Sequence, residues 1–269
     1  MQIYQAIILG IVQGLTEFLP ISSSAHLNLF PWLLGWSQMP ESFDVALHIG
    51  TLLAIIIFFF KDWIRLIVGG YKQAVKKEKS TDGKLFWYLV LSTIPAGIAS
   101  LVLDKISTKL FSKSLNVEML VIGLTLMIMG IVLYVVDKKS KSNVKLEKMT
   151  LKQSMLIALS QSLAAAFPGV SRSGITMTVA RGLNLDRESA AKYSFFLAAP
   201  ITAAAVIVNV KDFAFTNLAF WIGILASFIV GMVVIRFLLN FLKKGSFKVF
   251  AIYRIVIGIV VCIAFLIKL

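Results

Sequence analysis

One carboxylate, three hydroxyls and one imidazole fall within ten residues near the start of the chain: Glu17, Ser22, Ser23, Ser24 and His26. A second polar cluster follows Pro168 and contains Gly169, Ser171, Arg172, Ser173 and Thr176. A carboxylate or imidazole that takes a proton from a serine hydroxyl turns that hydroxyl into a nucleophile. Hydroxyls, glycine backbone and an arginine fork are the groups that hold phosphate oxygens. The two clusters together predict a site for phosphoryl chemistry. Glu17, His26, Arg172 and the hydroxyls of Ser22, Ser23 and Ser24 are its candidate groups for chemistry, and Gly169, Ser171, Arg172, Ser173 and Thr176 its candidate groups for holding phosphate. Plainer readings stay open, with Glu17 and Arg172 as a structural ion pair and the serines after Pro20 as a helix N-cap. A cap and a site are compatible, because a half-helix starting near Ser22 points its free N–H groups and positive dipole end at whatever lies there. Gln13 stands one turn before Glu17 and shares its ligand, hydrogen-bonds its carboxylate or packs in the core.

The elements that carry these clusters lie in a bilayer. Of 269 residues, 58% are hydrophobic and 15% charged, against roughly 45–50% and about 25% in an ordinary soluble domain. Six stretches, 45–60, 85–103, 119–136, 193–210, 213–235 and 249–267, are apolar enough to span at about 20 residues per crossing. Two further apolar regions, 3–36 and 154–183, are broken by Pro20–Ser24 and Pro168–Gly174. The first lacks the basic start and cleavage pattern of a signal peptide, so it is expected to remain in the fold. The net charge of +14 sits between apolar runs rather than beside exposed aromatics, which excludes nucleic acid as a partner. The single Cys262 excludes an intramolecular disulfide and a multi-thiolate zinc site.

The broken regions resemble each other. Gln13-Gly-Leu-Thr-Glu-Phe-Leu-Pro20 aligns without gaps on Gln161-Ser-Leu-Ala-Ala-Ala-Phe-Pro168, and Lys61-Asp62-Trp63 and Phe86-Trp87 fall against Lys211-Asp212-Phe213 and Phe220-Trp221. The fold expected is an all-α polytopic membrane protein, a single membrane domain over 1–269, with a first repeat in 1–140 and a second, inverted one in 150–269. Each half has a re-entrant helical hairpin and three transmembrane helices. The rival arrangement, with both broken regions spanning, leaves their breaks in lipid unless protein covers them. Segments 61–84 and 137–152 carry seven and six Lys/Arg, against three in 104–116 and one in 211–216. The Lys-rich loops therefore belong in the cytoplasm, with both termini and the active site toward the outer face of the plasma membrane. The hairpin tips would meet near the midplane. His48 reads as a packing histidine, Arg236 and Arg254 as side chains snorkelling to an interface, and Lys76-Lys77-Glu78-Lys79 as a further contact for anionic lipid.

Gln13-Gly-Leu-Thr-Glu17 with Pro20-Ile-Ser-Ser-Ser-Ala-His26, and Pro168-Gly-Val-Ser-Arg-Ser-Gly-Ile-Thr176, closely resemble the two signature motifs of the integral-membrane undecaprenyl-diphosphate phosphatases. The resemblance covers essentially the whole chain. It implies hydrolysis of undecaprenyl diphosphate to undecaprenyl phosphate and inorganic phosphate, recycling of the cell-wall carrier lipid, and bacitracin resistance. Carried over, Glu17 is linked with a divalent cation, Mg²⁺ or Ca²⁺, Ser23 is the nucleophile, and His26 has an acid/base or alternative nucleophilic role. Arg172 is the phosphate-binding arginine, flanked by Ser171, Ser173 and Thr176. Gln13 stands where the commonest family form has Glu, so as a metal ligand it would offer a neutral amide oxygen. The partners implied are a polyprenyl diphosphate lipid and the bilayer, with room for a homodimer. The rival reading is a polyprenyl-phosphate flippase, which the inverted repeat also suits; a structural scaffold leaves the polar tips unexplained.

Overall fold

The computed structural model describes residues 2–111 and 115–268. Among them the regular elements are helices, and six are long and apolar enough to cross a membrane: α3 (Glu41–Phe58), α5 (Thr81–Phe111), α6 (Leu115–Lys139), α10 (Arg187–Asn209), α11 (Leu218–Leu242) and α12 (Lys248–Lys268). All six expected spans are there, each longer than its apolar stretch. Large apolar side chains point outward from them, as at Ile98, Ile128, Leu225 and Val256. Without water outside, exposed leucine and isoleucine carry no penalty.

The two broken regions fold as pairs of short helices. α1 (Ile3–Thr16) packs on α2 (Ser23–Leu34), and α7 (Leu151–Ser160), continued by α8 (Ser162–Ala166), packs on α9 (Arg172–Gly182). In each pair the ends distant from the turn lie side by side. Tyr4 meets Trp36 edge-on at 5.7 Å, and Gln153 Nε2 donates to Leu183 O at 3.1 Å. Local sequence explains the boundaries. Ser22, Thr150, Ser171 and Asp186 cap the helices that follow them, each satisfying one of the free N–H groups of a first turn. Gly35, in the left-handed region at φ 66°, ends α2 at a conformation that costs glycine little.

Packing is set by small residues. α1 lies along α11 so closely that a Cβ on Gly10 would collide with Gly223 O. α6 and α12 meet in the same way, with Gly123 against Gly258. In lipid such close backbone approach replaces the hydrophobic drive that water supplies elsewhere. One end of the bundle is pinned by a buried charge cluster. Asp137 on α6 accepts from Arg181 Nε on α9 at 2.7 Å, from Arg187 Nε on α10 at 2.9 Å and from Phe247 N at 3.2 Å.

Segment 61–84, expected as a loop, departs from that reading. It contains α4 (Phe60–Tyr71), a π-turn over Lys72–Lys76 and the start of α5. Apolar Phe60, Ile64, Ile67 and Tyr71 recur every three or four residues and are exposed, the pattern of a helix with an apolar face toward lipid. The lysines cluster beyond its end.

Candidate active site

Glu17 caps the C-terminus of α1 and is followed by a tight turn over 17–21. Ser22 then adopts φ 77°, ψ 98° before α2 begins at Ser23. The second turn repeats this geometry. Ser171 has φ 71°, ψ 115° and α9 begins at Arg172. Positive φ costs a non-glycine residue on the order of 1–3 kcal/mol, and such outliers gather at functional sites. Each serine also caps its helix, Ser22 Oγ accepting from Ala25 N at 3.4 Å and Ser171 Oγ from Gly174 N at 3.0 Å. Each shares a hydrogen bond with the serine two residues on, Ser24 at 3.3 Å and Ser173 at 3.2 Å. Two helix N-termini thus converge on one place.

Glu17 stands at that convergence, 7% exposed. Its Oε2 accepts from Ser23 Oγ at 2.6 Å and from Gln13 Nε2 at 3.1 Å. Its Oε1 accepts from Arg172 Nη2, so the ion pair joins the first turn to the second. Arg172 Nη1 is held by Thr202 Oγ1 at 2.7 Å and Ala198 O at 3.2 Å on α10. These groups face a cavity of about 250 Å³ whose wall includes Glu17, Ser23, Ser24, His48, Gln161 and Arg172. A carboxylate hydrogen-bonded to a half-exposed serine, beside a guanidinium and two helix N-termini, can hold an anionic phosphate and deprotonate a hydroxyl against it.

The structure brings Glu17, Ser22, Ser23, Ser24, Ser171 and Arg172 to the cavity and sets the other expected site residues behind its wall. His26 is buried, with both ring nitrogens engaged. Nδ1 donates to Ser22 O at 2.6 Å, which leaves Nε2 to accept from Tyr253 OH at 2.8 Å. Ser173 Oγ donates to Leu19 O at 3.1 Å. Thr176 Oγ1 donates to Arg172 O at 2.9 Å and shares a hydrogen bond with Ser194 Oγ at 2.7 Å. Gly169, at φ 89°, turns the chain where a Cβ would strike Thr125 Oγ1. Gln13 contacts Glu17 from below, and its Oε1 is buried without a partner.

The sequence model of the family described as bacitracin resistance protein BacA matches residues 6–260. The chain belongs to the BacA bacitracin-resistance family. Its similar relatives are named undecaprenyl-diphosphatase. The one from Caldicellulosiruptor bescii is 44% identical and covers 100% of this chain and 99% of its own. The one from Pelotomaculum thermopropionicum is also 44% identical, over 98% and 97%. That of Moorella thermoacetica is 41% identical, over 98% of each.

Three residues of this BacA-family site escaped the sequence reading. His48 is no mere packing histidine, since its Nε2 lies 3.5 Å from Glu17 Oε2 and it lines the cavity; α3 brings it there from 31 positions away in the chain. Arg254 does not snorkel. It is 1% exposed, and its guanidinium donates to Pro20 O at 3.1 Å, Gly169 O at 3.0 Å and Val170 O at 2.9 Å. It clamps both turns from α12, and its backbone acceptors leave no trace in sequence. Gln161 lines the cavity with both amide atoms buried and unpartnered. Its alignment on Gln13 was the available signal.

Proposed function

We propose that this cavity removes the terminal phosphate of undecaprenyl diphosphate, releasing undecaprenyl phosphate and inorganic phosphate. The product is the lipid that carries cell-wall precursors, and its recycling gives bacitracin resistance. The observation that carries the reading is the 2.6 Å hydrogen bond from Ser23 Oγ to Glu17 Oε2 beside Arg172.

Phosphoryl transfer asks for positioning and charge neutralisation more than for covalent assistance. Ser23 Oγ gives its proton to Glu17 and attacks the terminal phosphorus, and the bond from phosphorus to the bridging oxygen breaks. Undecaprenyl phosphate leaves. Glu17 passes that proton to the departing oxygen and then takes one from a water that attacks the phosphoserine; the bond from phosphorus to Ser23 Oγ breaks, Oγ recovers the proton from Glu17, and phosphate is released. Arg172 and the first N–H groups of α2 and α9 hold the equatorial oxygens throughout. His26 anchors α2 to α12 through Tyr253 instead of carrying a proton. Carriage of lipid without hydrolysis needs no serine hydrogen-bonded to a carboxylate, and the phosphatase reading is favoured over the flippase on that ground.

One carboxylate and one amide oxygen would hold a divalent cation, Mg²⁺ or Ca²⁺, only together with phosphate oxygens and water. Among the described residues no three His, Cys, Asp or Glu side chains group together, but Gln13 Oε1 is a buried oxygen without a partner, and Mg²⁺ commonly takes one carboxylate with phosphate oxygens and water. Glu17 and Gln13 would hold it, and the ion would neutralise diphosphate charge.

The same proposal includes the membrane arrangement. α1 and α2, of 14 and 12 residues, reach about 21 and 18 Å, short of a hydrocarbon core of about 30 Å. Each pair of short helices therefore enters and leaves on its own side, as the neighbouring ends of each pair support. The matched geometry at Ser22 and Ser171 supports halves 1–140 and 150–269 as an inverted repeat. Both termini and the cavity mouth face outward, opposite the lysine-rich end.

Phosphate release by the purified protein from undecaprenyl diphosphate, with and without chelator, tests the reading, together with trapping of phosphoenzyme on rapid acid quench. Wild type and His26→Gln should trap phosphate on serine, and Ser23→Ala should trap none. Full turnover by Ser23→Ala would refute the assignment.

A further inference from the structure

A cleft of about 380 Å³ opens where three membrane-spanning helices end. It is lined by Phe58 at the end of α3, Glu188 at the start of α10, and Arg236, Leu239, Asn240 and Lys243 at the end of α11. Phe58 stands ten residues past His48 on α3, about 15 Å at 1.5 Å per residue. The cleft is therefore separate from the phosphate cavity, with which it shares no residue. Steps of three and four residues put its α11 side chains on one face.

The charges of this cleft lack partners. Among the described residues the Arg236 side chain has neither an ion pair nor a hydrogen bond. Lys243 Nζ donates to Asn240 Oδ1 at 3.3 Å, which leaves the Asn240 amide nitrogen facing outward as a donor. Glu188 pairs with neither cation, and two cations with one carboxylate give the wall a net charge of +1.

Arg236 was expected to snorkel to an interface, but its position asks for more. It stands six residues before Leu242, the last of α11, and so about 9 Å inside the helix end. Val233 and Phe237, on either side of it, are exposed. In a membrane helix such side chains face acyl chains, so the guanidinium emerges beside lipid rather than in open water. A cation there needs an acceptor, and the protein supplies none.

We infer that this cleft binds an anionic phospholipid, its phosphate held by the Arg236 fork, Lys243 and the Asn240 amide and the start of its acyl chains against Phe58 and Leu239. A head group with hydroxyls, as in phosphatidylglycerol, also donates to Glu188. Bound there, the lipid ties α3 and α11 to α10, whose Thr202 and Ala198 hold Arg172. The site does not depend on the phosphatase reading.

The test is native mass spectrometry of the purified chain with equal amounts of phosphatidylglycerol and phosphatidylcholine. It compares wild type with two double variants, Arg236→Gln with Lys243→Gln, and Lys145→Gln with Lys148→Gln. The second pair removes exposed lysines beside the start of α10, where Val144 bridges to Leu185. Wild type should retain phosphatidylglycerol about tenfold more than phosphatidylcholine, the first variant should lose that preference, and the second should keep it. Equal retention of the two lipids by wild type, or equal loss in both variants, would overturn the site. Displacement of the lipid by millimolar inorganic phosphate would make the cleft a free-anion site and also overturn it. The unfolding temperature of wild type should rise with phosphatidylglycerol, since a ligand of the folded state stabilises it; no rise counts against the site. Phosphatidylglycerol with a photoreactive head group should label Glu188 or segment 236–243 of the wild type. Labelling confined to other segments would overturn the site even where a variant fails to fold.

Discussion

Replacing Glu17 by glutamine separates catalysis from a merely structural ion pair. The amide keeps the shape of the carboxylate and still meets Ser23, but it cannot take the serine proton. Loss of a positioned general base costs typically 10²–10⁴ in rate, which at 1.36 kcal/mol per decade raises the barrier by about 3–5 kcal/mol. Arg172 loses its counter-charge but keeps Thr202 Oγ1 and Ala198 O. Its pull on a phosphate then strengthens, so KM should hold or fall while kcat drops. The cost to the fold should stay below the roughly 3–5 kcal/mol of breaking a fully buried pair, because the Arg172 side chain is 21% exposed at the cavity wall. The assay is phosphate release under saturating undecaprenyl diphosphate, paired with thermal unfolding of the same preparation. If folded Glu17→Gln turned over within threefold of wild type, Glu17 would be a structural partner only and the proton route above would be wrong.

Arg254→Met should lower both stability and kcat. It leaves carbonyls of both turns unpaired at about 1–3 kcal/mol each, and thermal unfolding should register the loss; an unchanged transition would show that the clamp is unimportant. Gln161→Leu removes a buried amide that has no protein partner, so KM should rise about tenfold, the worth of one hydrogen bond, with no drop in the unfolding temperature. A lower unfolding temperature with unchanged KM would make Gln161 a packing residue. Gly10→Val drives a side chain into the backbone of α11, and overpacking of this kind costs about 1–3 kcal/mol; unfolding at the wild-type temperature would contradict the close approach of α1 and α11.

Much of this protein was readable from sequence, and the reasons are local. Spans follow from apolar length alone, because a bilayer fixes how many residues a crossing needs. Glu17 and Arg172 stood out because charge inside apolar sequence is rare, and serines shortly after a proline favour a helix start through their capping hydroxyls. α4 was missed because the lysines beyond its end make the whole segment look like a loop until the apolar residues before them are laid on a helix, where Phe60, Ile64, Ile67 and Tyr71 share one face.

Tertiary structure decided which of the candidate groups share the site. Ser23 and His26 are three residues apart in α2, close to a full turn, yet Ser23 meets Glu17 in the cavity while His26 reaches Tyr253 on α12. Sequence proximity could not separate them, since the answer depends on what α3, α10 and α12 place around α2. His48, Gln161 and Arg254 came to the site by the same route. Composition and spacing thus determined that two polar turns exist in an apolar chain, and the packing of helices from both halves determined which side chains each turn meets. The physical reason is that hydropathy and helix capping act along the chain, whereas the Glu17–Arg172 ion pair and the Arg254 clamp depend on atoms brought together across it.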